Sequence, residues 1–138
     1  MSAALYLPDT NLLSAYAANR DKALVGRVES HAPGMLLSAV VLAEMEYGWR
    51  KAGANKRVQR QKALASALAV HDFDADAARA YGVIKNVLLH GAGNAHPIGE
   101  RDLLIAAQAL AIGAVLITRN VREFGAVPGL HVENWESN

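Results

Sequence analysis

The sequence predicts an α/β fold in which a mostly parallel central sheet is flanked by helices. Short apolar runs, typical of buried strands, alternate along the chain with longer segments whose apolar residues recur every three or four positions. Turn-forming residues separate the two kinds of segment. Strands that alternate with helices at this spacing indicate a parallel sheet, because each helix returns the chain to the start of the next strand.

The composition sets the size and class of the fold. A chain of 138 residues is predicted to form one domain, residues 1–138, around a single core. The chain has no cysteine and no apolar run long enough to cross a membrane, so we expect a cytoplasmic protein. The formal net charge is only +1, so any affinity for nucleic acid must come from how the charges are distributed.

The first strand and the first helix meet at an aspartate. Residues 3–7 form an apolar run that we expect Pro8 to end, and a helical pattern is established from Leu12. Asp9 therefore lies where a strand ends and a helix begins, which is where ligands bind in parallel sheets. A helix N-cap explains Asp9 equally well, since aspartate is a good cap. The sequence leaves both roles open.

The second strand and helix place a glutamate on an apolar face. The pattern predicts a strand over residues 35–37, Ser38 as a helix cap and a helix after it. Glu44 in this helix has mostly apolar residues one turn away on either side. Glu46 instead has Arg50 four residues later, the usual arrangement of an exposed ion pair. Glu44 is therefore the candidate functional residue of the two glutamates.

A basic segment lies between residues 50 and 62. Its six positive charges fall within thirteen positions, and no acidic residue occurs between Glu46 and Asp72. Arg57 and Arg60 are three residues apart, so in a helix they share a face that can contact phosphates. A solvated helix surface is the alternative, and it explains the same pattern.

The remaining segments complete the alternation of strands and helices. Residues 70–73 are predicted to form a strand, residues 74–89 a helix and residues 129–135 a final strand. The glycine-rich stretch 90–97 is predicted to be a loop. The spacing of its glycines does not match a phosphate-binding loop, so we infer no nucleotide site there.

The stretch from residue 98 to residue 124 carries the strongest signal in the chain. A helix is predicted from Glu100 to the helix-ending Gly113, followed by a buried strand over residues 114–117. Asp102 lies in the first turn of this helix, on the same face as apolar residues that should pack on the sheet. The carboxylate can interact with the helix dipole, or it can bind a cation at the sheet edge.

Three carboxylates are therefore predicted to meet at one edge of the sheet, those of Asp9, Glu44 and Asp102. The polar residues after the fourth predicted strand belong to the same edge. Carboxylates in such proximity repel one another unless a cation is present, and Mg²⁺ is commonly held by a few carboxylates while it faces a phosphate. Such a cation activates a water molecule and offsets charge on phosphoryl oxygens. The sequence thus predicts metal-dependent chemistry on a phosphate group.

Five blocks of sequence carry a family resemblance, and they run from one end of the chain to the other. The blocks are Leu-Pro-Asp-Thr-Asn at 7–11, Leu-Ala-Glu-Met-Glu-Tyr-Gly at 42–48, Ile-Gly-Glu-Arg-Asp-Leu-Leu-Ile-Ala-Ala-Gln-Ala-Leu at 98–110, Thr-Arg-Asn-Val-Arg-Glu-Phe at 118–124 and Val-Pro-Gly-Leu-His-Val-Glu-Asn-Trp at 127–135. With these blocks the chain resembles the PIN-domain ribonucleases, and specifically the VapC toxins of type II toxin–antitoxin systems. The resemblance implies a single PIN domain over residues 1–138.

The resemblance also implies an activity and a set of partners. It implies an endoribonuclease dependent on Mg²⁺ or Mn²⁺, with its acidic site at Asp9, Glu44 and Asp102. A VapB-type antitoxin is implied as the inhibitor, a homodimer as the usual state, and a hetero-oligomer with the antitoxin. Structured RNA is the implied substrate, and the subgroup most similar in the last two blocks is associated with initiator tRNA.

Two other classes of protein share part of this pattern. A non-catalytic PIN-fold partner of a DNA-binding antitoxin, acting at an operator, is the alternative. Retention of all three carboxylates favours the enzyme. A haloacid-dehalogenase-like phosphatase is disfavoured, because Asn11 stands where that class needs a second aspartate.

The fourth polar ligand is a choice between Asn120 and Glu123. Several members of the family that the chain resembles have an aspartate where this chain has Asn120. In a helical turn Glu123 projects from the same face, so we expect Glu123 to supply the missing charge through a water molecule while Asn120 orients a water or a carboxylate. Alternatively, Glu123 pairs with a neighbouring arginine. Asn11 and Thr118 are expected to support the site, and the predicted RNA-contacting residues are Arg57, Arg60 and Arg119.

Overall fold

Strands and helices alternate along the computed structural model, which describes residues 4–90 and 98–137. The strands are β1 (Tyr6–Pro8), β2 (Leu36–Ser38), β3 (Ala69–His71), β4 (Val115–Ile117) and β5 (Val132–Glu133). The helices are α1 (Thr10–Ala18), α2 (Lys22–His31), α3 (Ala39–Ala52), α4 (Lys56–Ala67), α5 (Ala75–His90), α6 (Glu100–Ile112) and α7 (Val121–Phe124). No helix in these two ranges is long and apolar enough to span a membrane.

Every strand pairing between the described residues is parallel. β1 pairs with β4, β4 pairs with β5, and β2 pairs with β3. An isolated parallel bridge between Tyr6 and Met35 connects β1 to the β2 side, so the strand order is β3-β2-β1-β4-β5. The predicted fold class, a mostly parallel sheet flanked by helices, is confirmed.

Pro8 is the last residue of β1, so the first strand ends at the proline as predicted, with Pro8 itself inside the strand. The N–H of Asp9 donates to the carbonyl of Ile117 at 3.0 Å, so β1 still bonds to β4 beyond the proline. Successive N–H groups of a strand point to opposite neighbours, so the N–H that proline lacks would face β2. On that side the only bridge found between described residues joins Tyr6 to Met35, so the missing donor costs little.

Caps set the ends of the helices that reach the sheet edge. Ser38 accepts hydrogen bonds from the N–H groups of Val40 and Val41 and begins α3, which confirms its predicted role. Gly113 ends α6, also as predicted, with φ at 67°, a left-handed conformation that glycine adopts without strain. The chain can therefore turn directly from α6 into β4.

The core forms between the sheet and the helices that cover it. Residues of three strands are at most 1% exposed: Leu7, Leu37, Leu116 and Ile117. Helix α6 contributes fully buried small side chains, Ala106, Ala107 and Ala109, and packs against α3, α5 and β4. Small side chains allow this close approach, and they fix the position of the first turn of α6 at the sheet edge.

All five observed strands differ in extent from the predictions, β3 and β5 among them. β3 begins and ends earlier than the predicted 70–73, and β5 is much shorter than the predicted 129–135. Pairing with a neighbour sets these ends, and β4 offers β5 only two register positions, Leu116 and Ile117. The predicted loop over residues 90–97 lies outside the described residues, except for His90 at the end of α5.

Candidate functional site

A cleft of about 510 Å³ opens at the carboxyl edge of the sheet, and we name it the acidic cleft. The junction of β1 with α1, the second turn of α3, the start of α6 and the segment after β4 all contribute to it. Its lining residues are Asp9, Thr10, Asn11, Glu44, Gly99, Glu100, Arg101, Asp102 and Asn120. The three carboxylates singled out in the sequence thus line one cavity, although Glu44 and Asp102 are 58 positions apart in the chain.

Asp9 is buried, and both of its carboxylate oxygens accept hydrogen bonds. Oδ1 accepts from the N–H of Leu12 at 2.9 Å, and Oδ2 accepts from the hydroxyl of Thr118 at 2.6 Å. Burial raises the pKa of Asp9, while these two bonds, the charge of Arg119 and the N–H of Asn11 oppose part of the rise. The cap role of Asp9 is therefore observed directly, and its ligand role stays a prediction.

Asp102 lies half-buried in the first turn of α6 and is held by no hydrogen bond that we find among the described residues. Burial raises the pKa of Asp102, and the negative charges of Asp9, Glu123 and Glu44 raise it further. The positive charge of Arg101 opposes the rise. If Asp102 served mainly to interact with the helix dipole, its charged form would be favoured. The raised pKa reflects burial first and the neighbouring negative charges second, so interaction with the helix dipole does not dominate at Asp102.

Glu44 is engaged at both carboxylate oxygens. Oε1 accepts a hydrogen bond from the Thr10 hydroxyl at 3.1 Å, and Oε2 forms an ion pair with the guanidinium of Arg101. The Glu44 side chain is 19% exposed and that of Arg101 is 61% exposed. Sequence reasoning missed Thr10 and Arg101. The available signal was that each directly adjoins a candidate aspartate in the chain, Asp9 and Asp102 respectively.

Asn120 and Glu123 both lie near the cleft, in different ways. Asn120 lines the cleft, and its N–H donates to Thr118 Oγ1 at 3.0 Å. Glu123 is half-buried in the short helix α7, and its charge contributes to the raised pKa of Asp102. The expected helical turn is present. Which of the two residues acts as the fourth ligand stays a prediction.

The three arginines predicted to contact RNA lie in different surroundings. Arg57 is exposed on α4, beside a second cavity of about 290 Å³. Arg119 has a 59% exposed side chain and lies 3.9 Å from the carboxylate of Glu136. Arg60 is half-buried, because its guanidinium stacks 4.9 Å from the ring centroid of Tyr16 and donates to the Tyr16 carbonyl. The expected open face shared by Arg57 and Arg60 therefore holds only at Arg57.

The donor atoms of the acidic cleft suit a hard divalent cation. The described side chains that line it offer carboxylate, amide and hydroxyl oxygens, with neither sulfur nor imidazole. The raised pKa values of Asp9 and Asp102 show that negative charge is disfavoured there. Over residues 4–90 and 98–137, however, no three acidic or histidine side chains are grouped closely enough to hold one ion. A cation that uses Glu44 would have to displace Arg101.

Comparison with known proteins finds similarity over nearly the whole chain. The family model for the PIN domain matches residues 6–130. Ribonuclease VapC2 of Rickettsia felis is 36% identical over 138 residues, which cover 96% of this chain and 98% of that protein. The tRNA(fMet)-specific endonuclease VapC of Salmonella typhimurium is 32% identical over 131 residues, which cover 94% of this chain and 97% of that protein.

Solved structures with the same fold come from the same group. The VapBC2 structure from Rickettsia felis, bound to a DNA fragment from the promoter, has a TM-score of 0.80 and 30% identity, covering 96% of this chain and 99% of that chain. The DNA-bound VapBC structure from Salmonella typhimurium has a TM-score of 0.81 and 30% identity, covering 97% of this chain and 100% of that chain. The chain therefore belongs to the PIN-domain family and, within it, to the group of proteins named ribonuclease VapC.

Proposed function

We propose that this chain is the toxin of a toxin–antitoxin pair, an endoribonuclease that requires Mg²⁺ or Mn²⁺ and is inhibited by a VapB-type antitoxin. The acidic cleft carries the proposal, because Asp9, Glu44 and Asp102 line one cavity at the carboxyl edge of a parallel sheet. Relatives named as a ribonuclease and as an endonuclease support the same reaction class.

Asp9, Glu44 and Asp102 are the residues that would hold the cation. Asp9 is pre-positioned by its two hydrogen bonds, so it needs little reorganisation. Glu123 adds negative charge beside Asp102, and Asn120 offers an amide at the cleft wall. A divalent cation, when bound, acidifies water and offsets charge on the phosphate oxygens. We assign Asn11 and Thr118 a supporting role, because the Thr118 hydroxyl donates to Asp9 while Asn11 lines the cleft and its backbone N–H helps to lower the pKa of Asp9.

For the substrate we propose structured RNA, with initiator tRNA as the first candidate. The relative from Salmonella typhimurium is named for tRNA(fMet), and that name motivates the choice. Arg57 and Arg119 are exposed and can contact phosphates outside the cleft, while Arg60 is mainly committed to Tyr16. Because tRNA is a cytoplasmic molecule, we propose that the protein acts in the cytoplasm.

We propose that the chain forms a homodimer and a hetero-oligomer with its antitoxin. The two similar solved structures described above are VapBC assemblies, and both contain DNA. Those DNA complexes favour a second candidate function, in which the chain is a non-catalytic partner of a DNA-binding antitoxin at an operator. The two functions differ in one requirement, since only the ribonuclease depends on the carboxylates of the cleft.

The test is to incubate the purified protein with total RNA and to map new RNA ends. We expect discrete cuts with Mg²⁺ or Mn²⁺, none with EDTA, and recovery when excess Mg²⁺ follows EDTA. Glu44→Gln should abolish the cuts. Glu46→Gln is the matched control, because Glu46 lies on the same helix but pairs with Arg50 outside the cleft.

Two outcomes would contradict the proposed reaction. Cuts that persist in EDTA would exclude the requirement for a divalent cation. Cuts that persist at the wild-type rate in Glu44→Gln would exclude this cleft. If no condition produced cuts while the complex with antitoxin still bound operator DNA, the non-catalytic function would stand instead.

A further inference from the structure

We propose that Arg101 is an internal counter-ion of Glu44, and that a divalent cation and a phosphate of the substrate displace it together. In the free protein Arg101 neutralises Glu44. When the cation takes over Glu44, the guanidinium moves to the phosphate. The inference rests on the proposed function, because it concerns the same cleft and the same two ligands.

The ion pair between Glu44 and Arg101 joins two side chains of very different exposure. The Glu44 side chain is 19% exposed, and its other oxygen already accepts from the Thr10 hydroxyl at 3.1 Å. The Arg101 side chain is 61% exposed, so water can solvate its charge after separation. Glu44 would be left largely covered and without a neutralising charge. Separation of the pair therefore depends mainly on another cation that neutralises Glu44. An anion at Arg101 matters much less, because water can solvate Arg101.

Arg101 is placed to balance the charge of the cleft in the absence of a metal ion. Among the described residues that line the cleft, it is the one basic side chain, against Asp9, Glu44, Glu100 and Asp102. Glu100 is itself paired with Lys85 at 3.0 Å. A divalent cation bound among these carboxylates would make Arg101 superfluous and would repel it.

Displacement leaves Arg101 suited to bind the substrate. A guanidinium is planar and always charged, and it binds phosphate through two parallel N–H donors. Arg101 lines the cleft and is mostly exposed, so an RNA phosphate can reach it without desolvating a buried group. By thermodynamic linkage, phosphate bound to Arg101 would strengthen cation binding at Glu44, and the cation would strengthen phosphate binding to the same degree.

The first test measures Mn²⁺ binding by calorimetry in the absence of RNA. Arg101→Gln should bind Mn²⁺ about 10-fold more tightly than the wild type, within the range typical of coupled sites. Arg119→Gln is the matched control. Like Arg101, Arg119 acts through its charge on an aspartate of the cleft, in this case Asp9, but it pairs with Glu136 rather than with Glu44. Its loss should tighten Mn²⁺ binding by less than about 3-fold, the effect of a screened charge.

A double substitution tests whether Arg101 acts through Glu44. In the Glu44→Gln background, Arg101→Gln should no longer tighten Mn²⁺ binding, because the ion pair is already absent. The inference is wrong if Arg101→Gln and Arg119→Gln have equal effects on Mn²⁺ affinity, or if the tightening persists undiminished in Glu44→Gln.

The second test measures RNA cleavage at saturating Mn²⁺. Arg101→Gln should raise KM about 10-fold while kcat changes little, because a phosphate contact made in both ground and transition states is lost. Arg101→Lys should recover part of the KM effect, since lysine keeps the charge without the paired donors. An unchanged KM in Arg101→Gln would exclude the transfer of Arg101 to phosphate.

The outcomes separate this inference from the proposed function. If wild-type cleavage requires Mn²⁺ but Arg101→Gln binds Mn²⁺ with wild-type affinity, only the inference about Arg101 fails. If the wild type and all variants bind no Mn²⁺, and cleavage needs none, both the inference and the proposed metal dependence fail.

Discussion

The start of α1 and the start of α6 each bring one aspartate to the acidic cleft, and the two carboxylates are held differently. Asp9 caps α1, and its oxygens accept from Leu12 and Thr118 at 2.9 and 2.6 Å. Asp102 lies in the first turn of α6 among the charges of Asp9, Glu123 and Glu44, with no hydrogen bond that we find among the described residues. Burial raises the pKa of both aspartates, but hydrogen bonds oppose the rise only at Asp9.

The difference indicates a division of labour between fold and function. Asp9 contributes to the fold through its cap and its bond to Thr118, so its substitution should affect both stability and activity. Burial of the Asp102 charge, and then repulsion by its acidic neighbours, should destabilise the metal-free fold, so we expect Asp102 to be needed only for activity. Substitutions that separate stability from activity can therefore test the comparison directly.

The largest effect is expected from Asp102→Asn. Cleavage of RNA should fall at least about 100-fold, the usual minimum for loss of a charged group that stabilises a transition state. The metal-free variant should retain its fold, with a free energy of unfolding unchanged or higher by no more than about 1 kcal/mol at neutral pH. Asp76→Asn is the control, because Asp76 also lies in a first helical turn but is exposed and pairs with Arg79.

The pH dependence of Asp102→Asn follows from the direction of the pKa shift. The folded state raises the pKa of Asp102 above its ordinary value of 3.8, so the folded state holds the proton more tightly than the unfolded state. The free energy of unfolding of the metal-free wild type therefore falls as pH rises from the ordinary pKa through the raised one. Asp102→Asn should lose less stability over this pH window in chemical denaturation. If the stability of the wild type and that of Asp102→Asn depended on pH in the same way, Asp102 would not destabilise the metal-free fold.

Glu123→Gln should have a smaller effect on cleavage than Asp102→Asn. The charge of Glu123 lies near Asp102. Its loss should therefore raise the Mg²⁺ concentration needed for cleavage about 10- to 100-fold, the range for an outer-shell partner. The measurement is the Mg²⁺ concentration at half-maximal cleavage. If Asn120→Ala reduces activity far more than Glu123→Gln, the roles assigned to these two residues are reversed.

The two substitutions Asp9→Ala and Asp9→Asn should separate the cap from the charge. Asp9→Ala should lower the free energy of unfolding by about 1–2 kcal/mol, because the cap and the bond to Thr118 are both lost. Asp9→Asn should cost much less, since asparagine also caps helices, yet it should be as inactive as Asp102→Asn. If Asp9→Ala and Asp9→Asn were equally stable in thermal unfolding, the assignment of a structural role to Asp9 would be wrong.

The smallest effect is expected from the arginines outside the cleft, which contact neither aspartate. Arg57→Gln should weaken RNA binding at all sequences and should reduce the slope of its salt dependence by roughly one unit. Arg60→Gln should change the slope less and should instead lower stability, because Arg60 stacks on Tyr16. If the salt dependence of RNA binding is unchanged in Arg57→Gln, Arg57 is a solvated surface residue that does not contact RNA phosphates.

Features governed by local sequence were predictable, and those governed by distant partners were not. Ser38 and Gly113 begin and end helices as predicted, because capping and left-handed turns depend on a few adjacent residues. The end of the first strand at Pro8 was predicted, but not that the proline itself belongs to the strand, since a proline is tolerated or not according to which neighbouring strand its missing N–H would face. Only the strand order supplies that information.

The candidate site shows the same limit. Asp9 was identifiable from its position between a strand and a helix, and Glu44 and Asp102 were identifiable because each is a charge on a largely apolar helix face. The hydroxyl of Thr118 on Asp9 and the guanidinium of Arg101 on Glu44 join residues 109 and 57 positions apart. Such contacts carry no local pattern. They determine which carboxylate is fixed and which is neutralised.

The most direct measurement of the central claim is the change in unfolding free energy that Mn²⁺ produces at neutral pH. At a concentration 100 times the dissociation constant, Mn²⁺ should stabilise the wild type by about 2.7 kcal/mol, because the ion binds only the folded state. Asp102→Asn, measured at the same Mn²⁺ concentration, should gain less than about 0.5 kcal/mol. Equal stabilisation of the two proteins would place the ion elsewhere and would contradict the assignment of the acidic cleft as the metal site.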